Sequence, residues 1–245
     1  MKNYRLPAVL VLASMCACGR VPTGEPADYA SGAALAHNPI VFVHGWAGSA
    51  AEWSTMEQNF VNAGWASSSL FAMSLSSPYS GAVGINITHA SEIKSYIENT
   101  VLPQTGAQRV DIIAHSMGGL SSMYYVHVLD GATDGAVADV VCLDAGVQGT
   151  TDALILAVIP DFRQSTPVVT AVGAYDQTPS GALPDPAGTP HIPGNMTYTF
   201  YWQKDSINAL AGGVSQQWAS VAHNDFLTNS DVFNAVKAAV TQNEN

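Results

Sequence analysis

Apolar positions along the chain fall into two alternating rhythms. Short runs that are apolar on both faces, "PIVFVHG", "SSSLFAMSL", "RVDIIAH" and "VADVVCL", predict buried β-strands. Between them the spacing lengthens to that of helices. "SAAEWSTMEQNFVNAG" sets Trp53, Met56, Phe60 and Val61 on one face and stops at Gly64. "THASEIKSYIENTVLP" does the same with Ile93, Tyr96, Ile97 and Val101 and is expected to end at Pro103. A helix from Met117 to Leu129, strands "PVVTAVGAYD" and "MTYTFYWQKD", and a terminal helix "SDVFNAVKAAV" complete the pattern. Strand and helix in alternation predict an α/β domain with a mostly parallel central sheet and helices on both faces, whose sites form at the carboxyl ends of strands.

One junction carries chemistry as well as pattern. "AHSMGG" (114–119) ends a strand on a serine and supplies two glycines before a helix. The motif G-x-S-x-G places a nucleophilic serine on such a turn, with small residues two positions to either side; here the match is Ala114, Ser116 and Gly118. A helix N-cap would also select serine. At the end of the first strand, "HGWAG" forms a second Gly-bearing loop, so the backbone N–H groups of Trp46 and Met117 are the candidate oxyanion donors. His44 reads as a structural hydrogen-bonding residue at the strand rim. The general base is expected on the last strand-to-helix loop, where "WASVAHNDFL" offers His223. Two aspartates lie just past strand ends, Asp176 and Asp205, and either could orient the imidazole.

The segments "NPIVFVHGWAGSAAEW", "VDIIAHSMGGLSSMYYVHVL" and "VVCLDAGVQGT" together resemble the bacterial class 2 lipases of the α/β-hydrolase fold. The resemblance implies hydrolysis of carboxylic esters by a triad in the order Ser, Asp, His. It favours Asp205 over Asp176, because the strand before the family's acid is a Tyr/Thr-rich stretch like "TYTFYWQKD", and on the same alignment "PVVTAVGAYD" matches a helical or irregular stretch. The expected catalytic set is therefore Ser116, Asp205 and His223, with Trp46 and Met117 at the oxyanion and no cofactor or metal. No sizeable apolar helix is apparent between the strands, so a minimal lid or none is expected. Gln148 stands where a histidine is common in the family, and the family's loop cysteines are missing. Trp46, Trp53, Phe71, Met117 and Trp202 could shape the acyl site, although such residues more often belong to a core.

Composition changes the picture mainly at the amino terminus. Lys2 and Arg5 precede the apolar stretch 6–15, the layout of a secretory signal peptide over residues 1–18, and Cys18 is a candidate for lipid attachment. A Pro/Gly-bearing lead-in follows over 19–36, and residues 37–245 read as one domain. The chain carries 19 acidic and eight basic residues, net −11; without the first twenty residues, which hold Lys2, Arg5 and Arg20, it keeps five basic against 19 acidic, a formal −14. Nucleic acid and anionic membranes are unsuited partners at that charge. Cys142 would then be the single cysteine of the mature domain, read as a core residue. The expected protein is a monomeric, exported or envelope-anchored lipase or esterase acting on triacylglycerols or shorter acyl esters. The rivals are a polyester or phospholipid hydrolase on the same fold, and a surface lipoprotein that has lost its chemistry.

Overall fold

The computed structural model describes residues 35–131, 134–147, 149, 153–163, 165–173, 197–202, 214–217 and 221–241. The proposed leader and Cys18 lie outside these residues. Six parallel strands form one sheet: β1 (Ile40–Val43), β2 (Leu70–Met73), β3 (Val110–His115), β4 (Val137–Leu143), β5 (Thr197–Trp202) and β6 (Val214–Gln217), in the order β2-β1-β3-β4-β5-β6. Because every pair is parallel, all six carboxyl ends share one edge of the sheet. In β1, β3 and β4 the runs predicted to be apolar on both faces are buried on both, Val41 and Val43 pointing into one layer and Ile40 and Phe42 into the other, whereas in β2, at the edge of the sheet, only Met73 is buried.

Helices fill both layers. α1 (Ser54–Asn62) and α7 (Ser230–Thr241) cover one face, packing Met56, Phe60, Val232 and Val236 with Trp53 against Phe42 and Ile113. Val61, expected on the buried face of α1, is partly exposed, because a helix turns about 100° between neighbours and Phe60 already takes the inward position. On the other face lie α2 (Ile85–Tyr96), α4 (Met117–Val128) and α6 (Pro167–Gly173). Two expectations shift here. Pro103 does not stop the second helix: a π turn, Ile97–Val101, leads into α3 (Leu102–Thr105), and the chain leaves at Gly106 with φ +68°. The wider turn accommodates a proline ring that regular helix geometry would clash with. "PVVTAVG", read from its residues as a strand, is the helix α6, since burying Val168, Val169 and Val172 together requires the spacing of a helix.

A buried carboxylate ties this layer together. Asp161 is fully buried and accepts from the backbone N–H groups of Gly84 (2.6 Å) and Asn86 (3.0 Å) at the start of α2, and from Asn86 Nδ2 (3.0 Å). Negative charge at a helix N-terminus is stabilised by the unpaired N–H groups and the macrodipole. Ser121 Oγ on α4 donates to Asn86 Oδ1 at 2.8 Å, so the network runs from the 160s to the helix behind Ser116. Asp161→Ala leaves two buried N–H groups without acceptors and is expected to cost roughly 2–4 kcal/mol, measured by urea unfolding. An unchanged midpoint would contradict that account.

Candidate active site

Ser116 follows β3 directly and holds φ +54°, ψ −126°, a conformation costly for any residue with a Cβ. The surrounding glycines explain how the turn fits. A Cβ on Gly118 would stand 2.4 Å from the carbonyl oxygen of His44 and 2.7 Å from that of Val43; one on Gly119 would stand 2.3 Å from Ala145 Cβ. Only bare backbone lets α4 start this close to β1 and β4. Gly45 presses on the serine itself, where an added Cβ would come within 2.7 Å of Ser116 Cβ. Ser116 N–H donates to Leu143 O (2.9 Å), pinning the turn to the end of β4. Thus "GG" after the serine and "HG" before Trp46 answer to one steric demand.

The loop after β1 is held from below. Leu75 N–H donates to His44 Nε2 (2.9 Å), so the ring proton is on Nδ1 and donates to Gly45 O (2.7 Å). Both ring nitrogens of His44 are occupied by backbone, which is the structural role its position suggested. Ala47, at φ +62°, gives its N–H to Pro78 O (2.8 Å), and Gly48 N–H goes to Gly45 O (3.2 Å). Among the described residues no acceptor takes the backbone N–H of Trp46 or of Met117. Of the residues considered for the acyl site, Trp53 and Met117 have fully buried side chains and belong to the core, whereas Trp46 and Phe71 are partly buried at its margin. Cys142 is also core: it is buried behind Gly119, and burial pushes its thiol pKa up.

His223 opens a short 3₁₀ turn, His223–Leu227, and its ring comes beside β3. His115 Nε2 donates to His223 O (2.9 Å), and the two rings lie 4.4 Å apart at 41°. His115 is held neutral, its pKa lowered to about 3 by burial first and by the neighbouring His223 second. The depressed value has a sign for stability. Above the unfolded pKa of about 6.5 it costs nothing, and as pH falls toward 3 the unfolded chain takes up a proton that the folded one refuses. His115→Gln, which keeps an N–H donor, is expected to flatten the loss of stability between pH 6 and 4 by up to about 1.4 kcal/mol per pH unit. Parallel slopes in thermal melts of the two proteins would refute this.

The partner of His223 is Asp144. Its Oδ2 lies in a short contact with His223 Nδ1, with 18% of the aspartate side chain and 46% of the histidine exposed. Asp144 immediately follows β4 and holds φ +46°. With the proton of Nδ1 engaged by the carboxylate, the lone pair on Nε2 is the one left to act as base. Asp205 and Asp176, the two acids the sequence suggested, lie outside the described residues. Asp144, in "VVCLDAG", is not among the acids expected from the sequence. The usable signal was that it stands one residue past a buried strand, and that consecutive β3 and β4 would be parallel neighbours. Their register, Ala114 against Cys142 and His115 against Leu143, sets Ser116 and Asp144 at the same level of the sheet.

A parallel sheet flanked by helices on both faces, with a strained serine between strand and helix, is the architecture of an α/β-hydrolase. Residues 37–149 match the model of the class 2 lipase family. The structure of a Bacillus licheniformis lipase in its mature form aligns over 89% of this chain and 96% of its own, with TM-score 0.57 and 16% identity. A Listeria innocua gene product aligns over 85% and 96%, with TM-score 0.54 and 14% identity. Tomato methylketone synthase I aligns over 85% and 99%, with TM-score 0.50 and 10% identity. At these identities the likeness is one of fold, and the range of names shows how many chemistries the fold hosts.

Proposed function

We propose that the protein hydrolyses acyl esters through Ser116, His223 and Asp144. The observation that carries this reading is the His223–Asp144 pair, seated against His115 at the strand end that bears Ser116. His223 Nε2 removes the proton of Ser116 Oγ as the oxygen attacks the ester carbonyl. The carbonyl oxygen becomes an oxyanion facing the N–H groups of Trp46 and Met117, each donor of this kind contributing roughly 3 kcal/mol to the transition state. Collapse breaks the C–O bond of the ester, and the imidazolium returns its proton to the departing alcohol. Water then attacks the acyl-enzyme, with His223 as base, and releases the acid and Ser116.

Triacylglycerols or shorter acyl esters are the proposed substrates, met outside the cytoplasm after export through residues 1–18. A fluorophosphonate probe tests the chemistry: it should label Ser116, and Ser116→Ala and His223→Ala proteins should stay unlabelled. Folded wild-type protein that resists the probe would establish the reading of a hydrolase fold without activity.

A further inference from the structure

The base of the proposed site stands on a stretch with little support of its own. Ala222, His223, Asn224 and Asp225 are all exposed, between Val221 and Phe226, which are buried. The 3₁₀ turn that begins at His223 has Ala222 as its N-cap, which makes no side-chain capping bond. The His223 side chain is 46% exposed, against 18% for the Asp144 side chain that it meets. One hydrogen bond from Nδ1 fixes a point on the ring and leaves the ring free to swing about that point, so the Asp144 contact alone does not aim Nε2 at Ser116. A general base has to stand within about 3 Å of the group whose proton it removes. The backbone of His223 therefore needs a hold of its own.

His115 meets that need from inside the sheet. It is the last residue of β3, a strand paired on both sides, with β1 and with β4, and its own side chain is buried. Its Nε2–H donates to the carbonyl oxygen of His223 at 2.9 Å, across 108 residues of chain, and the His223 ring lies against its own, centroids 4.4 Å apart. The next residue is Ser116, whose N–H is tied to Leu143 O. Consecutive Cα atoms stand about 3.8 Å apart, so nucleophile and base are both referenced to one point on a central strand. Neutrality matters as well. Burial first and His223 second lower the pKa of His115 to about 3, so no cation here opposes the imidazolium that His223 becomes during the reaction. The titratable groups that face His115 are His223, Asp144 and His44.

We propose that His115 is a positioning residue for the general base: its Nε2–H holds the carbonyl of His223 so that the imidazole stays aimed at Ser116. The inference rests on the ester-hydrolase reading for the reaction it serves, although the hold itself can be measured without substrate. Wild type is compared with His115→Phe and His115→Met, which fill the space without an N–H, and with His115→Gln, whose amide nitrogen reaches the place of Nε2. On dissolved p-nitrophenyl butyrate the two donor-free proteins should lose between about tenfold and a hundredfold in kcat, the scale of a misplacement of roughly 1 Å. KM should stay within about threefold, and His115→Gln should recover kcat to within about threefold of wild type. The proton on His223 Nδ1, followed by NMR, should exchange with water about tenfold faster in the donor-free proteins, the scale of one lost hydrogen bond, and return toward the wild-type rate in His115→Gln. Equal kcat in all four proteins overturns the proposal, and so does an equal loss in His115→Gln and His115→Phe. Donor-free proteins that fail to fold where His115→Gln folds reduce the bond to a matter of stability and also count against it. If the wild type cleaves no ester, the hydrolase reading fails by itself, and the Nδ1 exchange rates still decide whether His115 holds His223.

Discussion

Asp144→Asn is expected to lower kcat for a dissolved ester by about 10⁴-fold, the scale seen when the orienting aspartate of a Ser-His-Asp triad becomes an amide. The cause is a tautomer. Asp144 accepts a hydrogen bond from His223 Nδ1–H; an amide NH₂ in its place donates instead, so the imidazole turns its lone pair to Nδ1 and carries its proton on Nε2. A protonated Nε2 cannot take the proton of Ser116. Because a neutral ester's KM depends mainly on the pocket, KM should change by no more than about threefold, leaving the loss in kcat. Asp205→Asn and Asp176→Asn are the discriminating companions, each expected within about threefold of wild type in kcat. A collapse in Asp205→Asn with Asp144→Asn near wild type would reassign the orienting acid to the strand end that the family resemblance favoured.

Replacing Ser116 by glycine should separate chemistry from strain. Activity should fall by about 10⁶-fold, as for loss of a triad nucleophile. The folded protein should at the same time become more stable. At φ +54°, ψ −126°, a side chain costs on the order of 1–3 kcal/mol that glycine does not incur. Against this stands roughly 0.5–1 kcal/mol for glycine's greater freedom in the unfolded chain. A net gain near 1 kcal/mol corresponds to about 2–4 °C in Tm for a domain of this size. Ser116→Ala is the control: it keeps the Cβ and therefore the strain, so it should lose activity without that gain. Should glycine and alanine melt alike, the turn stores no strain at its serine.

Much of the framework follows from local rules that a linear reading can apply. Both-face apolar runs gave β1 to β4 and the spacing gave α1, α4 and α7, because burial on a sheet or on one helix face imposes its period on the residues themselves. "AHSMGG" could be read the same way, since a strand, a serine and glycines at fixed offsets are short-range facts. α6 escaped this logic. A run such as "PVVTAVG" is apolar enough for either period, and the layer already formed by α2 and α4 decides for a helix.

The acid of the site belongs to a different kind of information. Sequence by itself determined where a serine on a strand-to-helix turn, a late histidine and several acids past apolar runs stand, because each is written in a local motif. Which aspartate meets His223 depends on the order in which strands lie side by side, and a linear reading leaves more than one acid in play. β4 stands next to β3, its register brings Asp144 level with Ser116, and the chain returns 79 residues later to set His223 Nδ1 on that carboxylate. The exposure of α5 (Ala153–Val158) is likewise a tertiary fact: "ALILAV" is wholly apolar, and only packing leaves it at the surface, where Val158 O lies against Gly81 in the segment whose Tyr79 ring meets Trp46.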